Sequence, residues 1–479
     1  MLGTLPRHRL AMAVAIAAAS ALTVSSIGVG SGLAAESPLG TPATPGSPDS
    51  GDSLFPHQGN GGYDVEHYAI VLRWHRDGSI RATVRIRAVA TQALSAFNLD
   101  FRGLTVDSAT VAGASAGTSG PTNDELTVTP ASPVLEGQTF RTVIAYHGKP
   151  HYLIDPDGSA DGWISTSDGA TVLSEPIGSM TWFPNNNTPS DKATYSISVT
   201  APRSKTVASN GRLVGVSSSP SPGHLATWRW REPDPMASYL ATVSIGAYDV
   251  VKGTSKRGVR VRSFVDTSMS GEETARHVGG VVDFLSTQFG PYPLTSAGII
   301  VDKVPVSYAL EVQTRPVFPY DPGVSGLLAH ELAHQWFGDS VSLNDWSDIW
   351  LNEGFATYAE WLWQARTQPN APARRFHALY NGNGPHSSFW DGVVAQPATA
   401  AHLFDTNTVY TRGAMALEAL RLTIGTKDFF ALVHRWTARL GGGNGTTARF
   451  EAMAENVSGE NLDVLFGDWL HRSGRPPAL

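Results

Sequence analysis

Cysteine is absent from this chain of 479 residues, and its absence excludes several kinds of chemistry. Without thiols the protein has neither disulfides nor thiolate metal ligands, so its stability depends on a hydrophobic core and on any bound ions. Charged residues make up only 16% and the formal net charge is -7, so nucleic acid is not expected as a partner. The 41% of hydrophobic residues and the length predict a globular protein of two or three domains.

The most apolar stretch of the chain lies near the amino terminus, at about residues 10–29. Two arginines precede it and the small pair Ala34-Ala35 follows it, an arrangement typical of a secretory signal peptide over residues 1–35. We therefore expect a secreted, extracellular protein that has no stable membrane span after cleavage of the signal. An uncleaved amino-terminal anchor, with the protein facing outward, is the alternative, because the stretch approaches the length of a membrane span.

Three further segments differ in their sequence pattern. Residues 36–60 are rich in Gly, Pro and Ser, which predicts a flexible linker. Over residues 61–252, short alternating runs such as residues 68–72 are separated by turn residues, which predicts an all-β domain. Helical apolar spacing predominates in residues 253–479. The predicted fold class is α+β multidomain, with an N-terminal all-β domain followed by a mainly helical catalytic domain.

The motif His330-Glu331-Leu332-Ala333-His334 indicates a catalytic metal site. Histidines four residues apart lie on one face of a helix, so His330 and His334 can bind the same ion. Glu353 lies on a second predicted helix, residues 348–364, among apolar residues that leave its carboxylate in need of a cation. Two histidines and a carboxylate form a standard ligand set for catalytic zinc, which keeps one position open.

Two more acids near the motif have predicted roles. Zinc activates water and polarises a carbonyl group, and the motif places Glu331 where it can accept the proton of the water. Glu331 is therefore the predicted general base, and it can return the proton to a leaving amine, which favours amide hydrolysis. Glu360 lies two helical turns after Glu353 and could orient a ligating histidine. The alternative for Glu360 is an ordinary solvated acid.

The motif, the eighteen residues 335–352 and the sequence Asn352-Glu353-Gly354 together resemble the aminopeptidase N family of gluzincin zinc metallopeptidases. The resemblance implies an N-terminal β domain, a thermolysin-like catalytic domain, one Zn²⁺ per chain and peptides as substrates. Larger family members continue into a long helical domain, which we expect this chain to lack. The implied activity is the release of residues from free peptide amino termini.

The resemblance also implies roles for residues outside the metal motif. Tyr410, in Val409-Tyr410-Thr411-Arg412-Gly413-Ala414, matches a tyrosine that stabilises the oxyanion of the tetrahedral intermediate. Glu311 matches a glutamate that binds the free α-amine of the substrate, and Glu175 lies where a second amine contact is expected. Tyr308, Leu310 and Val312 replace the Gly, Met and Asn of the family element around Glu311, which changes the first side-chain pocket.

Two other functions remain open from the sequence. A zinc endopeptidase would use the same metal site but would leave Glu311 without a role. A catalytically silent peptide-binding protein would need neither a base nor an activated water, so the presence of Glu331 argues against it.

Overall fold

The computed structural model describes residues 42–218 and 224–478 of the chain. The predicted signal peptide, residues 1–35, lies outside the described residues. In the part of the chain that the structure describes, no helix has the length and apolar character needed to cross a membrane.

An eight-stranded sheet is the largest element of the N-terminal half, and its inner face forms part of the core. In its central strand, Tyr68, Ile70 and Leu72 are buried, whereas Ala69 and Val71 lie on the more exposed outer face. This alternation follows from the two-residue period of a strand. The strands, in sheet order, are Arg212–Ser218, Leu225–Ala237, Lys192–Pro202, Tyr63–Trp74, Ile80–Ala90, Thr139–Gly148, Thr105–Val111 and Ala114–Ser115.

Two smaller sheets complete the N-terminal β domain, as the sequence predicted. The four strands of the first, in sheet order, are Thr44–Pro45, Leu94–Asp100, Glu125–Thr129 and Gly117–Thr122. The five strands of the second are Leu153–Ile154, Ala160–Ser165, Ala170–Leu173, Val243–Gly246 and Thr206–Ser209. The second sheet matters for function because the chain runs directly from Ala170–Leu173 to Glu175.

The catalytic half combines helices with a small sheet and a two-stranded ladder. The sheet contains Tyr248–Thr254, Arg260–Asp266, Ile300–Val301 and Val317–Phe318, and the ladder pairs Ser342–Leu343 with Asn444–Gly445. The α-helices are α1 (Glu272–Phe289), α2 (Gly326–Ala333), α3 (Trp350–Gln364), α4 (Ala371–Gly382), α5 (Gly413–Leu440), α6 (Thr447–Ser458) and α7 (Asp463–Trp469). A π-helical segment, Thr406–Arg412, leads directly into α5.

The predicted domain boundary between residues 252 and 253 is wrong by a few residues. It falls inside the strand Tyr248–Thr254, which pairs along its whole length with Arg260–Asp266. The hairpin belongs to the sheet of the catalytic half and packs against α1. The alternating pattern of this strand is the same as that of the strands before it, so the pattern alone could not assign it to the second domain.

The predicted flexible linker over residues 36–60 is wrong for the part that the structure describes. Thr44–Pro45 pairs with the strand Leu94–Asp100, and Phe55 is buried against Trp346 with the ring centroids 6.1 Å apart. The carboxylate of Asp52 accepts a hydrogen bond from the Trp346 backbone N–H at 2.8 Å. The two contacts with Trp346 join residues about 290 positions apart along the chain, which is why the local composition did not reveal them.

Close packing of α3 against the start of α5 places two parts of the functional site next to each other. A Cβ atom added to Gly354 would lie 3.0 Å from the Cα atom of Gly413, so the two backbones approach as closely as they do only because both residues are glycine. Phe355 also stacks on Phe337 with a centroid distance of 4.0 Å, which fixes α3 against the segment after α2.

Candidate active site

His330, His334 and Glu353 form the centre of the site. His330 lies in α2, His334 is the residue that directly follows this helix, and Glu353 lies in the first turn of α3. The Oε2 atom of Glu353 lies 3.2 Å from Nε2 of His330 and 3.5 Å from Nε2 of His334. One ligand atom of each residue lies within 4.8 Å of the others, and all three side chains are buried. The structure therefore brings together the three predicted metal ligands.

Hydrogen bonds on the outer side of the rings fix the orientation of both histidines. Nδ1 of His330 lies 2.7 Å from Oε1 of Glu360, and Nδ1 of His334 lies 3.1 Å from the backbone oxygen of Phe337. Because both partners are acceptors, Nδ1 is a donor in each ring, and Nε2, which faces Glu353, is the ring atom that can bind an ion once it has lost its proton. Two neutral imidazoles and one carboxylate with this orientation fit Zn²⁺. Glu360 thus has the geometry predicted for an orienting residue.

The electrostatic environment of the ligands also favours a cation. Burial alone would lower the pKa of His334, but the negative charges of Glu311 and Glu353 raise it to about 9. Burial alone would raise the pKa of Glu353, but the charge of His334 and hydrogen bonds from both histidines lower it to about 2. Glu353 is therefore held as a carboxylate in a buried place, where a positive partner compensates its charge.

Glu331 occupies the position expected of a base. A carboxylate oxygen of Glu331 lies within 4.8 Å of ligand atoms of His334 and Glu311, and the side chain is buried. Burial raises the pKa of Glu331 to about 7, although the charges of His330 and His334 oppose this shift. A carboxyl group with a pKa near neutrality can both accept and return a proton.

Glu175 and Glu311 form a pair of buried carboxyl groups beside the metal ligands. Each has an oxygen within 4.8 Å of the other and of Glu353, although Glu175 comes from the N-terminal domain. Oε1 of each residue is buried and accepts no hydrogen bond from any residue in 42–218 or 224–478. Burial, and then the charge of Glu311, raise the pKa of Glu175 well above its usual range. The pair therefore offers two buried acceptors to a cationic donor such as a substrate amine.

The backbone around Glu311 is held by a residue that the sequence did not reveal. Nε2 of Gln335 donates to the backbone oxygen of Glu311 at 2.9 Å, and Oε1 of Gln335 accepts from the N–H of Thr314 at 2.7 Å. Leu310 and Val317 exchange two backbone hydrogen bonds at 3.0 and 2.7 Å. Gln335 directly follows His334, so one segment positions both the metal ligand and the amine site. No spacing rule connects an amide to these partners.

Tyr410 lies in the π-helical segment Thr406–Arg412 and reaches the metal ligands. Its ring is nearly parallel to that of His330, at 14° and a centroid distance of 5.9 Å. Burial, followed by the charge of Glu353, raises the pKa of Tyr410 well above its usual range. The phenol therefore keeps its proton and can donate a hydrogen bond. Single-turn π segments are frequent at functional sites, but the sequence gives no signal for one.

These side chains line one cavity of about 420 Å³. Its walls also include residues that the sequence did not single out, among them Asp157, Ser159, Tyr320 and Phe404. Asp157 and Ser159 lie in the turn between the strands Leu153–Ile154 and Ala160–Ser165. The hydroxyl of Tyr308 holds this turn by donating to the backbone oxygen of Ala160. The cavity is thus a shared product of both halves of the chain.

The fold and the sequence of this chain are similar to those of known metallopeptidases and aminopeptidases. An M1 zinc metallopeptidase from Deinococcus radiodurans, solved with a Tyr-Ser-Ala substrate, matches with a TM-score of 0.81 and 29% identity. The match covers 90% of this chain and 99% of that chain. Aminopeptidase M1 of Arabidopsis thaliana is 26% identical over 64% of this chain and 37% of its own length. Aminopeptidase N of Lactococcus lactis subsp. cremoris (strain MG1363) is 28% identical over 61% and 37%. The chain thus spans little more than a third of the length of these curated relatives.

Two family descriptions match separate parts of the chain. The Peptidase M1 N-terminal domain matches residues 64–240, and the Peptidase family M1 domain matches residues 320–469. The second match contains the metal ligands and Tyr410, and the first contains Glu175. On these matches, and on the agreement of the fold over both domains, the chain belongs to peptidase family M1.

Proposed function

We propose that this protein is a zinc-dependent aminopeptidase, which hydrolyses the first peptide bond of peptides with a free amino terminus. The observation that carries the proposal is the pair of buried Oε1 atoms of Glu175 and Glu311, which accept no hydrogen bond from the described residues and lie beside the set of three metal ligands. An endopeptidase site has no need for two buried carboxyl groups at this place. A cationic amine bound there would be aligned with its first peptide bond toward the metal ligands.

One Zn²⁺ per chain is part of the proposal. His330, His334 and Glu353 would hold the ion, which would act as a Lewis acid on the scissile carbonyl and activate water. The other two groups of possible ligands in the described residues share Glu311, and each shares a further residue with the first group. Three groups that share residues in this way favour a single ion. Elemental analysis of the purified chain should give a zinc to protein ratio near one.

The side chains then divide the reaction between them. Glu175 and Glu311 hold the α-amine of the substrate, so that the first peptide bond is selected. Glu331 accepts a proton from the attacking water and passes it to the nitrogen of the leaving amine. Tyr410 donates a hydrogen bond to the oxygen that becomes negative in the transition state. Glu360 holds the ring of His330 through all steps.

The proposal can be tested with one peptide offered in a free and an N-acetylated form. After incubation with the zinc-loaded protein, mass spectrometry should show stepwise trimming of the free peptide only. Internal cleavage of both peptides would identify an endopeptidase, and no cleavage of either would favour a peptide-binding protein. A peptide that begins with Tyr-Ser-Ala is a suitable first probe, because a similar structure holds that substrate.

We also propose that the protein is exported. The support is the sequence of residues 1–35, with two arginines, an apolar stretch and Ala34-Ala35. Residues 1–45 fused to a reporter that is active only outside the cytoplasm should give activity, and sequencing of the exported reporter should place the new amino terminus after Ala35. An active reporter with an intact amino terminus would indicate the membrane-anchored alternative.

A further inference from the structure

The outer face of the eight-stranded sheet carries a cationic groove of about 560 Å³. Its wall contains His67 and four arginines, Arg85, Arg87, Arg141 and Arg231. It has no lining residue in common with the catalytic cavity. Peptide hydrolysis, as proposed above, assigns no role to this groove.

The register of the strands places these cations next to one another. Arg87 lies directly opposite Arg141 on one neighbouring strand and opposite His67 on the other. Like charges directly opposite each other in a sheet destabilise it. Arginines on a solvated strand face need no such arrangement, because a shift of two residues along one strand would separate the side chains and keep them on the same face. The arrangement therefore suggests that an anion compensates the charges.

The floor of the groove consists of small side chains. Ser196 is opposite Arg231 on one side and Ala69 on the other, and Ala69 is opposite Arg85. Four adjacent strands thus give the order Arg, Ser, Ala, Arg across the sheet. Because neighbouring strands are about 4.8 Å apart, the two arginines flank a trough about three strand spacings wide.

The cations of the groove are poorly compensated by the protein itself. Arg87 pairs with Glu66 at 3.0 Å, but Arg85, Arg141 and Arg231 make no ion pair with any residue in the described ranges. Glu232 also lines the groove, but burial raises its pKa to about 8, so it is largely uncharged at neutral pH. This positive site belongs to a chain whose formal net charge is -7.

The pKa of His67 is shifted by the same positive charges. Burial, and then the charges of Arg87 and Arg231, lower its pKa below the usual range. The hydroxyl of Thr194 donates to the backbone oxygen of Glu66, so Nδ1 of His67 is the donor in its 2.7 Å contact with that hydroxyl. Nε2 carries the remaining lone pair.

We propose that this groove binds a linear polyanion whose repeating charged group is phosphate. Guanidinium groups pair with phosphate through two parallel hydrogen bonds, and the Ser196 hydroxyl on the floor is a further donor. A chain of phosphates delivers several charges within one narrow trough, which matches the closely spaced arginines. Among the described residues, no Phe, Tyr or Trp lines the groove, so it offers no aromatic ring on which nucleic-acid bases could stack. A flat membrane surface would not reach the floor of a trough.

The test measures binding of fluorescently labelled linear polyphosphate to the full chain by anisotropy at low ionic strength. We expect saturable binding to the wild type and at least tenfold weaker binding to the double variant Arg85→Gln/Arg231→Gln. Arg375→Gln, which removes an exposed arginine of α4, should bind as the wild type does. Equal binding by all three proteins would overturn the proposal.

Two further readouts keep the interpretation specific. The double variant should retain peptide hydrolysis and should melt no lower than the wild type, because it loses repulsion between like charges. Unlabelled tripolyphosphate should displace the probe. Poly-L-glutamate that displaces it equally well at the same charge concentration would overturn phosphate as the recognised group and indicate an acidic polypeptide. Failure of the peptide test above would leave this binding result unaffected, since binding needs no turnover.

Discussion

Glu331 is the residue whose chemical role can be tested with the smallest change. Glu331→Gln keeps the size and the hydrogen-bonding capacity of the side chain but removes the proton acceptor. We expect kcat to fall by about 10²- to 10⁴-fold, the usual contribution of a general base. The bound zinc should be unchanged, because His330, His334 and Glu353 are intact. Steady-state kinetics together with elemental analysis check both statements, and full activity of the variant would exclude the mechanism.

Glu360 tests the importance of ligand orientation. Its carboxylate lies 2.7 Å from Nδ1 of His330, so Glu360→Gln replaces a charged acceptor by a neutral amide that can turn its NH₂ group toward the ring. Loss of such a partner weakens metal binding by about 10- to 100-fold. Competition with a chelator measures the Kd for Zn²⁺. Glu460→Gln, at an exposed position, is the matched control. Equal affinities of the two variants for Zn²⁺ would mean that Glu360 is an ordinary solvated acid that does not orient His330.

At the scale of single elements, the sequence predicts most where function depends on local spacing. The histidines at i and i+4 predicted α2, and the apolar pattern around Glu353 predicted α3. The partners that complete the site lie outside such rules. Gln335 reaches Glu311 across 24 residues, and Tyr410 depends on a π-helical turn that no composition marks. The roles given to Glu311, Glu175 and Tyr410 therefore came from family resemblance, and not from spacing.

The strand Glu125–Thr129 gives a prediction that links one element to pH. Glu125 lies opposite Asp100, and burial, followed by the charge of Asp100, raises the pKa of Glu125 to about 9. Because the folded protein holds this proton more tightly than the unfolded chain, the free energy of unfolding falls as the pH rises from about 4.5 to about 9. Glu125→Gln stays neutral. We expect it to melt close to the wild type at pH 5 and clearly above it at pH 9.

Thermal denaturation at pH 5, 7 and 9 measures this difference. Glu136→Gln removes an exposed acid of the same domain and should follow the wild type at each pH. Parallel pH profiles for Glu125→Gln and the wild type would contradict the prediction. They would mean that the folded protein stabilises the ionised form of Glu125, although neither carboxylate oxygen accepts a hydrogen bond from the described residues.

At the scale of the whole molecule, the active site exists only because two domains are held in a fixed relation. Glu175 comes from the β domain, while the metal ligands lie in α2, directly after it and in α3. Lys192 of the β domain donates to the backbone oxygens of Asp339 and Ser340 at 2.8 and 2.9 Å, close behind the metal-binding segment. Activity should therefore respond to residues that fasten the domains together, even where they lie outside the cavity.

The segment before the first long strand holds the two domains together in this way. Asp52 is buried and accepts hydrogen bonds from the backbone N–H groups of Leu54, Phe55 and Trp346 at 2.9, 2.8 and 2.8 Å. Asp52→Ala leaves these donors without an acceptor. Loss of hydrogen bonds to a charged group costs about 1.5–3 kcal/mol, which corresponds to an increase of about 10- to 100-fold in local opening.

Limited proteolysis measures this opening, because cleavage follows the open population when closing is fast. We expect Asp52→Ala to be cut within residues 43–60 about 10- to 100-fold faster than the wild type, by the same estimate of opening. Asp49→Ala, in the same segment, has a side chain that accepts no hydrogen bond from the described residues and should be cut at the wild-type rate. An unchanged rate for Asp52→Ala would mean that the remaining contacts hold the segment, namely the packing of Phe55 on Trp346 and the hydrogen bonds from Ser53 to the carboxylate of Asp345 at 2.9 and 2.7 Å. The double variant Asp52→Ala/Phe55→Ala would then be cut faster than the wild type if the packing of Phe55 holds the segment. The two variants thus distinguish stabilisation by hydrogen bonds from stabilisation by apolar packing.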